Sequence, residues 1–536
     1  MKTSPGSIEL SVTLALALTG AVAASSPLDR LALAPAGEER ESRTLECIES
    51  YADLEDFLEA VSAWRPAANP SLEPMVLYED SIEYIDGITR HFYFVLPGTG
   101  SDGPRPLLVY LHGGVSTEEL ASYSADEVLG DHILIPRVLE EGMLVALPCA
   151  QLGAVWWDQA GEQGIVEIVR YMKAHFDVDD SKVFVGGFSD GASGSFGLAM
   201  LRPTPFAGFI ALSGHMGVAS LDGGRATYAR SLAGRMVYAA NTDLDRLYPA
   251  EQMLPTMALA ESAGARIVYR APEGWGHDWG YVPGLEGEIL DFMLQVGRED
   301  YPSVVDWQTG EPGGRDWLRV DSIIPWPLLG EDFDHNMVMA SDRLTFGFFP
   351  DWESDSDGVG VAGVVEEGDY PSVRMGMQSG DVITGFRGRA IRTMEDLYAA
   401  MEGMSPGDAF AMTLERDGRE LEVSDHFNPP SYYWLFERTG PSVYVKATIN
   451  DNVVNIETNR LCVLTLHLSQ EMLELDQPVE IVCNGIGIFH GLIGQDLETA
   501  VRCFSETLDR QRVYVASMRL DLEELLLALL ASSTDA

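Results

Sequence analysis

"VFVGGFSDGASGSFGLAM", residues 183–200, decides how the chain is to be read. Strand-type residues Val183, Phe184 and Val185 run into Gly186 and Gly187, a single hydroxyl follows at Ser189, and small residues then recur at helical spacing. The core of the stretch is Gly187-Phe188-Ser189-Asp190-Gly191, a G-x-S-x-G placed where a strand becomes a helix. A serine thrust outward at such a junction adopts an unfavourable backbone conformation, and side chains two residues to either side of it collide with their surroundings. The helix N-terminus behind the hydroxyl favours negative charge. A serine that only caps its helix leaves the same local signature, so the reading turns on the partners found elsewhere.

Outward from this stretch the pattern repeats. "HFYFVLP", "LLVYLHGG", "MLVALPC", "KVFVGGFS", "AGFIALSG", "RMVYAAN" and "RIVYRAP" are short apolar runs separated by helical segments. Runs that are apolar throughout, alternating with helices, predict a mostly parallel sheet with helices on both faces, here over residues 76–298.

An alkyl hydroxyl is a poor nucleophile at neutral pH and needs an imidazole as base. Of the ten histidines, His277 in "APEGWGHDWGY" sits in a Gly-rich loop after the last of these strands, with His112 and His215 as competitors. A carboxylate must orient the imidazole and stabilise the imidazolium. "RMVYAANTDLDRLYP" offers Asp245, in a turn that Pro249 ends, and Asp243 as the alternative. Two backbone N–H donors are needed for the oxyanion of a tetrahedral intermediate, and each contributes about 3 kcal/mol. Asp190 is the expected source of one, and Gly114 in "LHGG" of the other, with Val115 as the alternative. Trp156 and Trp157 in "VWWDQAG" either line a substrate pocket or pack beneath a loop.

These landmarks, "LLVYLHGG", "GFSDGASGS", "TDLDRLYP" and "GWGHDWG", in this order, resemble the α/β-hydrolase superfamily, especially exported esterases related to polyhydroxybutyrate depolymerases, feruloyl esterases and the phospholipase/carboxylesterase group. The resemblance implies a serine hydrolase with Ser189, Asp245 and His277 as its triad, a small-molecule or polymeric ester as substrate, and no cofactor or metal. Asp190 departs from that group, which often has an uncharged residue there, and an acid beside the nucleophile disfavours anionic acyl groups. A peptidase on the same fold, or a silent hydrolase acting as a peptide-binding scaffold, are the rival readings.

The remainder is modular. Residues 1–24 read as a signal peptide, with an apolar run from Val12 to Ala24 and Ala21-Val22-Ala23 as the cleavage site, so an exported, periplasmic or extracellular protein is expected. Residues 25–75 read as linker and one surface helix. Residues 301–335 carry two β runs that cannot stand alone and are expected to join a β-sandwich with a helix at 441–522, ahead of a tail at 523–536. Between them, residues 340–425 resemble a PDZ domain on "GVGVAGVVEEGD", "MQSGDVITGFRGRAI" and "TMEDLYAAM". That resemblance implies capture of a C-terminal peptide by the amides of Phe346, Gly347 and Phe348, with a purely structural role as the alternative.

The chain has 83 acidic against 35 basic residues among 536 and a formal net charge of −48, which repels nucleic acid and reads as a solvated acidic surface. No stretch beyond the leader is long and apolar enough to span a membrane. Five cysteines, Cys47, Cys149, Cys462, Cys483 and Cys503, form no scaffold or metal-like spacing, although Cys462 and Cys483 lie in neighbouring strand-like runs. "ESDSDG" at 353–358 lacks the bidentate Glu of a calcium loop and reads as an acidic turn.

Overall fold

The computed structural model describes residues 26–525 apart from 68–70, 99–102, 116, 329–333, 342–343, 352–353, 355 and 366–367; the expected leader lies outside the described residues, as does most of the tail. Contacts divide the chain into two units, Met1–Met337 with Leu435–Ala536, and Val338–Trp434.

The seven apolar runs become strands of one eight-stranded sheet: β1 (Leu77–Glu83), β2 (Thr89–Val95), β3 (Arg105–Leu111), β4 (Leu144–Pro148), β5 (Val178–Phe188), β6 (Gly208–Leu212), β7 (Met236–Ala240) and β8 (Arg266–Arg270). Their order is β1-β2-β4-β3-β5-β6-β7-β8, antiparallel through β1, β2 and β4 and parallel from there on. This is the α/β-hydrolase arrangement, and it sets β5 at the centre with its carboxyl end open to neighbouring loops. Strands β4 and β6 are buried at every position because both faces are covered. Phe184, Ile210, Leu212 and Tyr238 face the helices Ile135–Glu140 and Glu286–Gln295 in one core. Residues of the other parity face the opposite side, where the helix Asp190–Leu201 packs on β3, β5 and β6.

A β-sandwich occupies the rest of this unit. One of its sheets runs β10 (Gly313–Arg315), β11 (Leu318–Pro327), Arg460–Leu468, Ala516–Asp521; the other runs Ile486–Gly491, Val479–Cys483, Val453–Thr458, Val443–Asn450, β9 (Val304–Thr309). The strands of 301–335 are therefore hydrogen-bonded to those after residue 442, and the second unit is inserted between them. Both sheets share one core with the helix Leu497–Thr507, built on Trp317, Val320, Leu466, Ile456 and Phe504. Cys462 and Cys483 are buried free thiols, and burial pushes the first up to about 12 and the second to about 11.

Residues 25–75 differ from the expected linker and surface helix. They form three helices, Pro27–Leu33, Glu38–Ser50 and Leu54–Ala63, whose Leu28, Leu31, Cys47, Phe57 and Val61 are buried in the sandwich core. The first is closed at its start by a Ser26–Asp29 capping box. At its other end, Arg170 of the helix Gln159–His175 donates to Leu31 O at 2.9 Å, Ala32 O at 3.1 Å and Ser505 O at 2.9 Å. A buried guanidinium thus satisfies carbonyls of two separate segments, and burial pulls its pKa down to about 9.

A buried ionic cluster joins the eight-stranded sheet to the sandwich. Asp509 accepts from Arg298 at 2.5 Å, with Lys173 at 3.7 Å, while Lys173 lies 2.7 Å from Asp180, whose other oxygen takes Arg510 at 3.1 Å. Burial alone would raise the Asp509 pKa, but Arg298, Lys173 and Arg512 outweigh it and hold the carboxyl well below the usual range. Removing one partner of such a cluster strands the others without compensation.

The inserted unit folds on its own core of Phe346, Ile383, Phe386, Phe410, Met412, Leu414 and Phe427. Its sheet runs Phe348–Asp351, Val359–Val364, Val382–Phe386, Ala409–Arg416, Arg419–His426, with the helix Met394–Met401 started by a Thr393–Asp396 capping box. Among the described residues no helix is long and apolar enough to cross a membrane, and no cluster of three His, Cys, Asp or Glu is placed to hold a metal.

Asp509→Ala is expected to destabilise the first unit by about 3 kcal/mol, read as a lower melting temperature at pH 7. Because the folded pKa is depressed, the native contribution is complete above the unfolded carboxylate value near 4 and fades as pH falls through the folded value, so wild type and variant converge in acid. Equal melting at pH 7 would show that the cluster adds nothing.

Candidate active site

Ser189 sits between β5 and the helix Asp190–Leu201 with φ 57° and ψ −119°, a backbone state that few non-glycine residues adopt. It is over-determined from both sides: its N–H donates to Leu212 O of β6 at 2.9 Å and its carbonyl accepts from Ser193 at 3.0 Å. A Cβ at Gly187 or at Gly191 would overlap the carbonyl oxygen of Leu111, the last residue of β3. Glycine is therefore required at both positions by one neighbouring strand end.

His277 Nε2 lies 2.8 Å from Ser189 Oγ, and His277 Nδ1 lies 2.8 Å from Asp245 Oδ2. These partners assign the tautomer: Nδ1–H donates to the carboxylate and Nε2 accepts from the hydroxyl. The Asp245 side chain is fully buried, and its other oxygen accepts the N–H groups of Leu247 at 2.8 Å and Tyr248 at 2.9 Å. The His277 ring rests on Phe188, which in turn stacks on Trp279 with centroids 4.4 Å apart.

The loop after β7 holds the loop after β8. Asp243 Oδ1 accepts from Gly274 N–H at 2.7 Å, Thr242 Oγ1 donates to Gly276 O at 2.9 Å, and Leu244 N–H donates to Trp275 O at 3.1 Å. Asp243, the alternative acid, thus fastens the histidine loop and makes no contact of its own with His277. The competing histidines are framework groups. His112 donates from Nδ1 to Gly113 O at 2.8 Å and accepts Ala150 N–H on Nε2 at 3.0 Å. His215 Nδ1 accepts Gly217 N–H at 2.9 Å, and burial pulls its pKa down to about 4, leaving it neutral.

Gly113 lies against Ser189, since a Cβ there would be 3.1 Å from Ser189 Cβ. Gly114 follows in the left-handed region at φ 67°. The N–H of Val115, the alternative oxyanion donor, is engaged by Asp190 Oδ2 at 3.1 Å. Trp156 and Trp157 are not at a pocket mouth: they are 1% and 6% exposed, and Trp156 donates its indole N–H to His112 O at 2.9 Å while its Cβ presses on Gly194. Packing wins because a small-residue helix leaves room for the ring.

In the second unit, Gly347 has φ 80°, and a Cβ there would overlap the Tyr370 ring. Its carbonyl accepts from Val365 N–H at 2.9 Å and Ser372 Oγ at 2.7 Å, while its N–H donates to Thr345 Oγ1 at 3.2 Å. The Phe346 ring is in the core against Phe386, Phe410 and Phe427. Phe348 begins the edge strand Phe348–Asp351, in which Pro350 lacks an N–H for an added peptide.

No curated protein matches the chain in sequence. Solved structures with a similar fold include a thermostable esterase at 17% identity and a TM-score of 0.34, covering 41% of this chain and 63% of that one. A fluorophosphonate-binding serine hydrolase, FphF, of Staphylococcus aureus is 15% identical with a TM-score of 0.33, covering 41% and 99%. A CE1 ferulic acid esterase of Anaeromyces mucronatus is 16% identical with a TM-score of 0.31, covering 43% and 93%. This chain spans less than two thirds of the thermostable esterase, and at these scores the likenesses carry no weight for substrate. Strand order and the strained serine identify the fold. Residues 337–424 match the family model of the PDZ domain, and the chain joins this PDZ domain to a unit with the α/β-hydrolase fold.

Proposed function

We propose that the protein is an exported serine hydrolase that cleaves carboxylic esters through an acyl-enzyme. The observation that carries this is the unbroken relay Asp245–His277–Ser189, with both links at 2.8 Å on a serine held in the strained elbow. His277 Nε2 removes the hydroxyl proton as Ser189 Oγ attacks the ester carbonyl carbon, and the imidazolium that forms is stabilised by Asp245. The backbone N–H groups of Asp190 and Gly114 receive the oxyanion. Collapse breaks the bond to the alcohol oxygen, which takes the proton from His277. Water, deprotonated by the same imidazole, then attacks the acyl-enzyme, the bond from the acyl carbon to Ser189 Oγ breaks, Oγ takes the proton back from His277, and the carboxylic acid leaves. Every proton moved belongs to substrate, water or these side chains, so the cycle needs no cofactor. The PDZ domain supports a second function in binding peptide C-termini, with Phe348 N–H and the strand edge as the docking line.

A short-chain nitrophenyl ester and a peptide nitroanilide, each with wild type and Ser189→Ala, test the reading. Ester turnover is expected in wild type alone, with kcat falling about 10⁴-fold or more in the variant and little anilide cleavage by either. Anilide cleavage equal to ester cleavage would favour a peptidase, and turnover unchanged by the substitution would refute the site.

The two aspartates separate in the same assay. Asp245→Asn should lower kcat about 10⁴-fold, because Nδ1–H loses its carboxylate acceptor. Asp243→Asn keeps an oxygen for Gly274 N–H and should stay within about threefold of wild type. The reverse ranking would transfer the acid role to Asp243.

A further inference from the structure

Asp190 does more in this fold than supply a backbone N–H. Its carboxylate oxygen Oδ2 takes the N–H of Val115 at 3.1 Å across 75 residues of sequence, linking the nucleophile elbow to the loop after β3. That loop is anchored at its start, where Trp156 holds His112 O, and His112 holds Gly113 O and Ala150 N–H. It is anchored at its end by Asp190 and by burial of the Val115 side chain, which is 1% exposed. Between the anchors lies Gly114, with no Cβ and a left-handed backbone, a residue with little stiffness of its own. The carboxylate is also the first residue of the helix Asp190–Leu201, where the helix N-terminus stabilises a negative charge.

We propose that the Asp190 side chain is a positioning residue that clasps the 112–115 loop and aims the Gly114 N–H at the oxyanion. One residue then serves both halves of the oxyanion site, through its own N–H directly and through its carboxylate by way of Val115. An acceptor is needed at this position, and its charge is secondary. The inference rests on Ser189 being the nucleophile.

The test compares Asp190→Ala, Asp190→Ser and Asp190→Asn with wild type in ester kinetics and in affinity for phenylboronic acid, which forms a tetrahedral adduct on a reactive serine. Asparagine keeps an oxygen that can accept the Val115 N–H, whereas alanine has none and serine is too short to reach. Alanine and serine are expected to lower kcat by about tenfold to a hundredfold with KM within about twofold, since an ill-aimed oxyanion donor is lost only in the transition state. Boronate affinity should fall in parallel, and asparagine should restore both to within about threefold. The serine variant gives the same readings if the alanine variant does not fold.

Wild-type kcat in the alanine or serine variant would overturn the clasp. So would an equal loss in the asparagine variant, which would make charge the operative property, or a rise in KM alone, which would place Asp190 in ground-state binding. These results are separable from failure of the esterase reading, which would appear as turnover surviving Ser189→Ala.

Discussion

The carbonyl oxygen of Leu111 is the point around which the candidate active site is built. It leaves no room for a Cβ at Gly187 or Gly191, so the strand can turn into the helix only through two glycines. Ser189, caught between them at φ 57°, is held in a state its own preferences oppose, by hydrogen bonds to Leu212 and Ser193. Everything else at the site follows from that fixed hydroxyl: a sheet order that sets β5 centrally, and loops after β3, β7 and β8 that converge on its end. Strain at Ser189 is sustained by a sheet in which β6 and the last six residues of β5 are buried.

The converging loops are tied to each other before they are tied to Ser189. Asp243, Thr242 and Leu244 hold the segment 274–276, which places His277, while Leu247 and Tyr248 hold Asp245. Asp245 and His277 therefore come as one assembly. Under the proposed mechanism the Asp190–Val115 bond does for the oxyanion side what Asp243 does for the base side. In both cases the carboxylate holds the backbone of a loop that carries a group of the proposed site, a division of labour that keeps first contacts within hydrogen-bond reach.

The sheet and the strained serine turn with its histidine neighbour were legible in the sequence because their constraints are local: apolar runs, a glycine on each side of a serine, a histidine in a Gly-rich loop. What is set by distant partners was not legible. Two aspartates two residues apart at the end of β7 look alike until the 274–276 loop is present to choose between them. Trp156 and Trp157 carried no sign that Gly194 and His112 would absorb the first of them. Phe346 stood in a carboxylate-loop pattern, yet the aromatic core beneath claimed its ring. The segment Pro27–Leu33 read as linker because seven residues make a poor helix alone. It is completed by Arg170, more than a hundred residues later, and by a sandwich core assembled from both ends of the chain.

The central claim is that Ser189 is a nucleophile activated by His277. Intact-protein and peptide mass spectrometry after brief exposure to a fluorophosphonate tests it without any assumption about substrate. The account predicts one adduct per chain, on the peptide containing Ser189, formed far more slowly in His277→Ala. An adduct on another residue, or labelling of Ser189 at the same rate without His277, would contradict it.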